Sequence, residues 1–71
     1  MQFSYKDYDI SVLVARIDGH LAGTFAISRK GKIVRQEDGL FVQGTENEAA
    51  HQTLTIAKAY VDRIEVGDLK S

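Results

Sequence analysis

The stretch from residue 44 to residue 50 constrains this chain most, because the hydrophobic pattern changes there from strand-like alternation to helical periodicity. Thr45 is followed three residues later by Glu48, which is the spacing of a capping box. In that motif each side chain bonds a backbone N–H group that the first helical turn leaves unpaired. The pattern therefore predicts a strand-rich N-terminal part followed by one C-terminal helix.

The predicted helix runs from about Glu46 to about Glu65, with Gly67 as its expected end. Its apolar residues recur at alternating spacings of four and three, so they form one stripe that can cover a sheet. Ile56 is rotated away from that stripe and is predicted to be an exposed apolar residue. The stripe consists of Ala50, Leu54, Ala57, Val61 and Ile64.

Turn signals divide the N-terminal part into strands. The pair at 18–19, Asp-Gly, lies between two alternating apolar runs and predicts a two-residue hairpin with Ile17 opposite His20. A three-residue turn is predicted at 29–31, and a second Asp-Gly hairpin at 38–39. The sequence therefore predicts an α+β fold of the order ββββα, a four-stranded antiparallel meander with one helix packed on one face.

The first hairpin divides its residues into two faces, because residues directly opposite each other share a face. One face is strongly apolar and is the predicted core. The other is small and only half polar, which is unusual for a sheet surface that stays wet. The predicted interface consists of the apolar residues of this second face, one residue of the last strand and one residue of the helix flank. These are Leu13, Ala15, Ile17, Ala22, Ala26, Phe41 and Ile56.

The register of the last two strands stays open. With the three-residue turn at 29–31, Ile33, Leu40 and Val42 join the core face, while Phe41 falls on the opposite one. A four-residue turn would reverse this assignment, because a slip of one residue exchanges the two faces of a strand.

Length and composition limit the class of protein. A chain of 71 residues has room for a single domain, 1–71, which should bury roughly 60% of the surface of its unfolded chain. The chain has no Cys, so disulfides and thiolate metal sites are excluded, and self-association is a common further source of buried surface. The net charge of −1 argues against a dedicated nucleic-acid binder. No apolar run is long enough to span a bilayer, and we expect a cytoplasmic protein.

No catalytic or metal-binding motif is visible. His20 and His51 are distant in the sequence, and neither lies in an HExxH pattern or another ligand spacing. There is no Gly-x-Ser-x-Gly nucleophile elbow. We therefore expect no enzymatic activity, no cofactor and no metal.

A basic cluster surrounds the second predicted turn and supports an alternative. Four cations at one hairpin tip could contact phosphates, and nearby aromatic rings could stack on bases. Charges at this position also discourage edge-to-edge pairing of sheets. The cluster consists of Arg29, Lys30, Lys32 and Arg35.

One short stretch resembles a known family. Gly44-Thr45 followed by Glu48-Ala49 at the start of a helix, after a meander, is similar to the corresponding junction of HicB-type antitoxins. The resemblance covers about a dozen residues, and a capping box would produce most of it in any protein. The chain lacks the Pro-Gly segment of those antitoxins and has no room for a C-terminal DNA-binding domain.

These observations together predict a small non-enzymatic interaction module. It would act as a homodimer or bind a protein partner through the sheet face that the helix leaves uncovered, since apolar patches of this kind often mark interfaces. A small nucleic-acid-binding domain that uses the basic hairpin is the alternative.

Overall fold

Four antiparallel strands form one open sheet, and one C-terminal helix packs on one of its faces. This computed structural model describes the backbone of residues 1–70 and the side chains of residues 1–65. The strands lie in the order β1-β2-β3-β4, which confirms the predicted ββββα fold. The elements are β1 Gln2–Tyr5, β2 Tyr8–Ile17, β3 His20–Arg29, β4 Lys32–Val42 and α1 Glu46–Lys70.

Two-residue turns connect all four strands. Both residues of each turn have positive φ, at 6–7, 18–19 and 30–31, which is the backbone geometry of a type I′ hairpin. The predicted hairpin at 18–19 is confirmed, because Ile17 pairs with His20. The turn after β3 is shorter than the predicted three residues, because Arg29 already pairs with Lys32.

The four strands are not all the predicted ones. β1 was not expected as a strand, and the predicted turn at 38–39 is wrong, because β4 continues straight through it. Leu40 pairs with Gly23 and Glu37 pairs with Phe25, so Asp-Gly 38–39 forms a bulge in one long strand. A bulge with a positive-φ glycine needs the same residue type as a hairpin turn, and Gly39 has φ 68°.

A second irregularity in β4 changes the face of Ile33. Ser28 pairs with Ile33, whereas Ile27 pairs with Arg35, so Val34 is an extra residue in the ladder. Ile33 therefore lies on the side away from α1 and is 62% exposed, which corrects its predicted place in the core. The bulge at 38–39 shifts the alternation again, and Leu40 and Val42 lie on the core side as predicted.

The helix covers the sheet with the predicted stripe. Ala50, Leu54, Ala57 and Val61 are buried, and Ile64 packs against them at the edge of the core. The helix does not end at Gly67 but continues to Lys70, since a glycine inside a helix costs only about 1 kcal/mol relative to alanine. On the sheet side the core cluster contains Tyr8, Ile10, Val12, Phe25 and Ile27.

Polar contacts fasten the first turn of the sheet to the helix. The Lys6 Nζ lies 2.7 Å from an Asp62 carboxylate oxygen, and the Tyr5 hydroxyl donates to the same carboxylate at 3.1 Å. The Lys6 ammonium lowers the pKa of the Asp62 carboxyl, and that carboxylate raises the pKa of Lys6. These contacts hold β1 beside the helix.

The capping box at the start of α1 is confirmed. The Glu48 N–H donates to the Thr45 hydroxyl oxygen at 3.2 Å, and the Thr45 N–H donates to the Glu48 carboxylate at 3.0 Å. The bond from the Thr45 backbone lowers the pKa of the Glu48 carboxyl. Its stabilising effect is therefore present above the unfolded-state pKa of Glu48 and is lost as pH falls through the lowered folded-state pKa.

Removing this cap should cost a moderate part of the stability. We expect Thr45→Ala to lower the free energy of unfolding by about 1 kcal/mol, because the Glu48 N–H loses its side-chain acceptor. Urea denaturation followed by circular dichroism measures this loss. Thr55→Ala is the matched control on the exposed helix surface and should change the stability much less. Equal losses in the two variants would contradict a role of Thr45 in capping.

Candidate interaction surface

The side of the sheet away from α1 is uncovered within the described chain, and we call it the open face. It carries four large apolar side chains that are more than half exposed: Leu13 at 66%, Ile17 at 57%, Ile33 at 62% and Phe41 at 86%. The strand pairing places small residues beside them and makes one continuous surface. At its centre the open face consists of Leu13, Ala15, Ile17, His20, Ala22, Thr24, Ala26 and Phe41.

The alternation of small and large side chains gives the open face relief. Ala22 pairs with Ala15 on one side and with Phe41 on the other. Ala22 is only 8% exposed although it lies on this face, because it is the small residue at the floor of a depression of about 330 Å³. The side chains of Ile17, His20 and Phe41, with residues 18 and 39, line this depression.

A second, smaller depression lies towards the other end of the same face. Its volume is about 150 Å³, and Leu13 lines it together with Thr24 and Ala26. Gln2 and Ser11 also line it and supply polar groups. The open face is therefore a row of apolar projections and shallow depressions with a more polar end.

The centre of the open face carries no charge. Its residues between Ser11 and Ile17 on β2, and between His20 and Ser28 on β3, include no Lys, Arg, Asp or Glu. Acidic residues surround this centre: Asp9 lies towards one end of the sheet, Asp18 lines the larger depression from the hairpin turn, and Asp38 lies in the bulge of β4. The centre of the face can bury apolar area against another flat surface without removing charges from water.

Ile56 does not belong to the open face. It is half-buried and packs against the core between helix and sheet, so its predicted exposure is wrong. The N-terminal segment does not cover the open face either. It forms β1 beside β2, and Phe3 and Tyr5 pack against the helix side of the core.

The four residues of the basic cluster do not form one free cationic tip. The Arg29 guanidinium lies 5.4 Å from the centre of the Tyr8 ring. The bulge at Val34 places Arg35 on the helix side, where its guanidinium lies 4.6 Å from the centre of the Tyr60 ring. Lys30 lies in the turn and Lys32 at the start of β4, and both are exposed.

Arg35 also forms an ion pair with Glu37, which lies on the same side of β4. The hydrogen bond that Arg35 donates to the Glu37 carboxylate, and then its interaction as a donor with the Tyr60 hydroxyl, raise the pKa of the Arg35 guanidinium. Arg35 is therefore engaged in contacts within the fold, and the structure adds no observation in favour of nucleic-acid binding.

The two histidines of the chain lie apart in the fold. His20 lies on the open face, while His51 lies on the exposed side of α1, across the sheet from it. No group of three His, Asp or Glu side chains is placed to hold a metal ion in this part of the chain. What the arrangement offers is apolar surface that another molecule could bury.

Sequence reasoning missed one apolar residue of this surface and overlooked two polar ones. Ile33 lies on the open side because of the bulge at Val34, for which the sequence carries no distinct signal. His20 lines the larger depression and Thr24 the smaller one. The predicted hairpin register places both residues on this face, but the predicted interface included only its apolar residues.

Comparison with family models, with curated proteins and with solved structures finds no match to this chain. The resemblance of residues 44–49 to HicB-type antitoxins is therefore not accompanied by a family match. In the part of the chain that the structure describes, α1 is not apolar enough to cross a membrane.

Proposed function

We propose that this protein is a small cytoplasmic, non-enzymatic interaction module that associates, with itself or with another protein, through the open face. The observation that carries the proposal is the exposure of Phe41, Leu13 and Ile17 on one face of the sheet, whose centre is uncharged. Single exposed apolar residues are ordinary, whereas a contiguous group of large ones is typical of an interaction site.

Burial of the exposed side chains on this face would favour association. Fully burying a large apolar side chain contributes about 1.5–3 kcal/mol, and four such side chains on this face are more than half exposed. Aromatic residues are also over-represented among the residues that dominate binding energy at interfaces. Phe41 is therefore the expected anchor, and the alanines allow another surface to approach closely.

A photo-reactive phenylalanine analogue at position 41 tests this proposal in cells that express the full chain. We expect irradiation to give a covalent protein adduct, because the ring at this position would lie inside the interface. The same analogue at Thr55, on the exposed side of α1, is the matched control and should give none.

A second substitution makes the test specific to the surface. Ala22→Glu places a charge at the floor of the larger depression and should abolish the adduct at position 41. The proposal fails if neither a self-adduct nor an adduct with another protein forms at position 41, or if the adduct persists unchanged in Ala22→Glu.

A further inference from the structure

We infer that the partner of the open face is a second copy of this chain, related by a two-fold axis, with each Phe41 ring seated in the larger depression of the other copy. This inference rests on the proposed function and specifies the partner. Two properties of the surface support it: its shape and the lack of charge at its centre.

The shape of the open face is complementary to itself. Phe41 projects from the surface at 86% exposure, and the depression floored by Ala22 lies directly beside it. In a two-fold pair the same patch faces itself, so a projection next to a depression on one copy meets a depression next to a projection on the other. A cavity of about 150 Å³ suffices for a benzene ring. The depression here measures about 330 Å³.

The lack of charge also favours a second copy. Two-fold pairing brings residues near the axis close to their own symmetry mates, so any charge there would meet a like charge and be repelled. The centre of the open face avoids this, since its residues between Ser11 and Ile17 and between His20 and Ser28 are uncharged, and Asp18, which lines the larger depression, lies in the hairpin turn at the end of these strands. A face that selected a different protein by charge would need charged groups at this position.

Sedimentation of the purified full chain tests the inference. We expect a species of twice the chain mass at micromolar concentration. Phe41→Ser, which removes an exposed ring and leaves the core intact, should weaken the dimer at least tenfold. The double substitution Ala22→Glu with Ala26→Glu should give a monomer with unchanged helix content by circular dichroism. Ala59→Glu, the same change on the exposed side of α1, should leave the dimer intact.

A tryptophan reporter measures burial at the proposed contact, since the chain has no Trp. Phe41→Trp should show blue-shifted emission when concentrated and a red shift on dilution through the dissociation range. Thr55→Trp is the control, and its tryptophan should emit as a solvent-exposed residue at all concentrations.

A monomer up to submillimolar concentration would overturn the inference, and so would a dimer that Phe41→Ser and the double glutamate variant leave intact. The two proposals can be distinguished by the cellular adduct at position 41. An adduct with a different protein and no self-adduct overturns only the second-copy inference, whereas the absence of any adduct overturns the proposed function as well.

Discussion

Replacing Leu54 by alanine should lower the free energy of unfolding by about 2–5 kcal/mol, the range for large-to-small substitutions in a packed core. Leu54 lies in the middle of the buried stripe of α1 and belongs to the cluster that contains Phe25 and Ile27. The side chain is 8% exposed, so its removal leaves a cavity that the helix and the sheet can close only in part. Small domains are often only marginally stable, and such a loss would leave a large part of the population unfolded.

Chemical denaturation measures this loss, and Leu13→Ala is the matched control. Leu13 is 66% exposed on the open face, so the same truncation there should cost much less when the chain is dilute enough to be monomeric. A loss below about half a kcal/mol for Leu54→Ala, the range of neutral surface substitutions, would show that the stripe does not pack as described.

Replacing Gly23 by alanine should be comparably damaging, for the opposite reason. A Cβ atom at Gly23 would lie 2.0 Å from the Thr53 hydroxyl oxygen and 3.1 Å from the Thr53 Cβ. Thr53 is fully buried, and its hydroxyl donates to the Ala49 carbonyl at 2.8 Å, so the side chain has little freedom to move. The helix must then shift away from the sheet, and overpacking of this kind costs about 1–3 kcal/mol or more.

A second substitution tests whether this one contact is responsible. Thr53→Ala removes the hydroxyl and the methyl group that a Cβ at Gly23 would meet, so it should restore much of the stability that Gly23→Ala loses. Thr55→Ala is the matched control, because Thr55 also bonds the carbonyl four residues earlier but lies on the exposed side of the helix. If both alanines rescued Gly23→Ala equally, or neither did, steric contact with Thr53 would not be the cause. Thermal and urea denaturation of the single and double variants provide the measurement.

The candidate surface was partly visible in the sequence because its central part lies on one short hairpin. The turn at 18–19 leaves a single register for β2 and β3, and strict alternation then assigns Leu13, Ile17 and Ala22 to one face. Phe41 reached the same face by a different route. The β3–β4 turn is one residue shorter than predicted, and two bulges in β4 change the alternation between that turn and Phe41. Its placement therefore depended on pairing that the sequence does not encode locally.

Ile56 shows the corresponding limit for the helix. Helical periodicity states which residues share a stripe, but it does not state how far the helix rolls on the sheet. That roll depends on the surface that the sheet presents, including Gly23, whose missing side chain admits Thr53 into contact. With Thr53 buried against β3, the flank that carries Ile56 also turns towards the core.

Local chemistry alone determined the helix start, the buried stripe and the hairpin at 18–19. Each depends on residues within a few positions of one another: Thr45 with Glu48, apolar residues three and four apart, and a turn that joins adjacent strands. Only the tertiary structure decided that β1 joins the sheet, that Asp-Gly 38–39 bends a strand instead of ending it, and that Arg35 and Ile33 lie on opposite faces. The physical reason is that a positive-φ glycine satisfies a turn and a bulge equally well. Which of them forms depends on whether a distant strand, here β3, continues to offer hydrogen bonds along its full length.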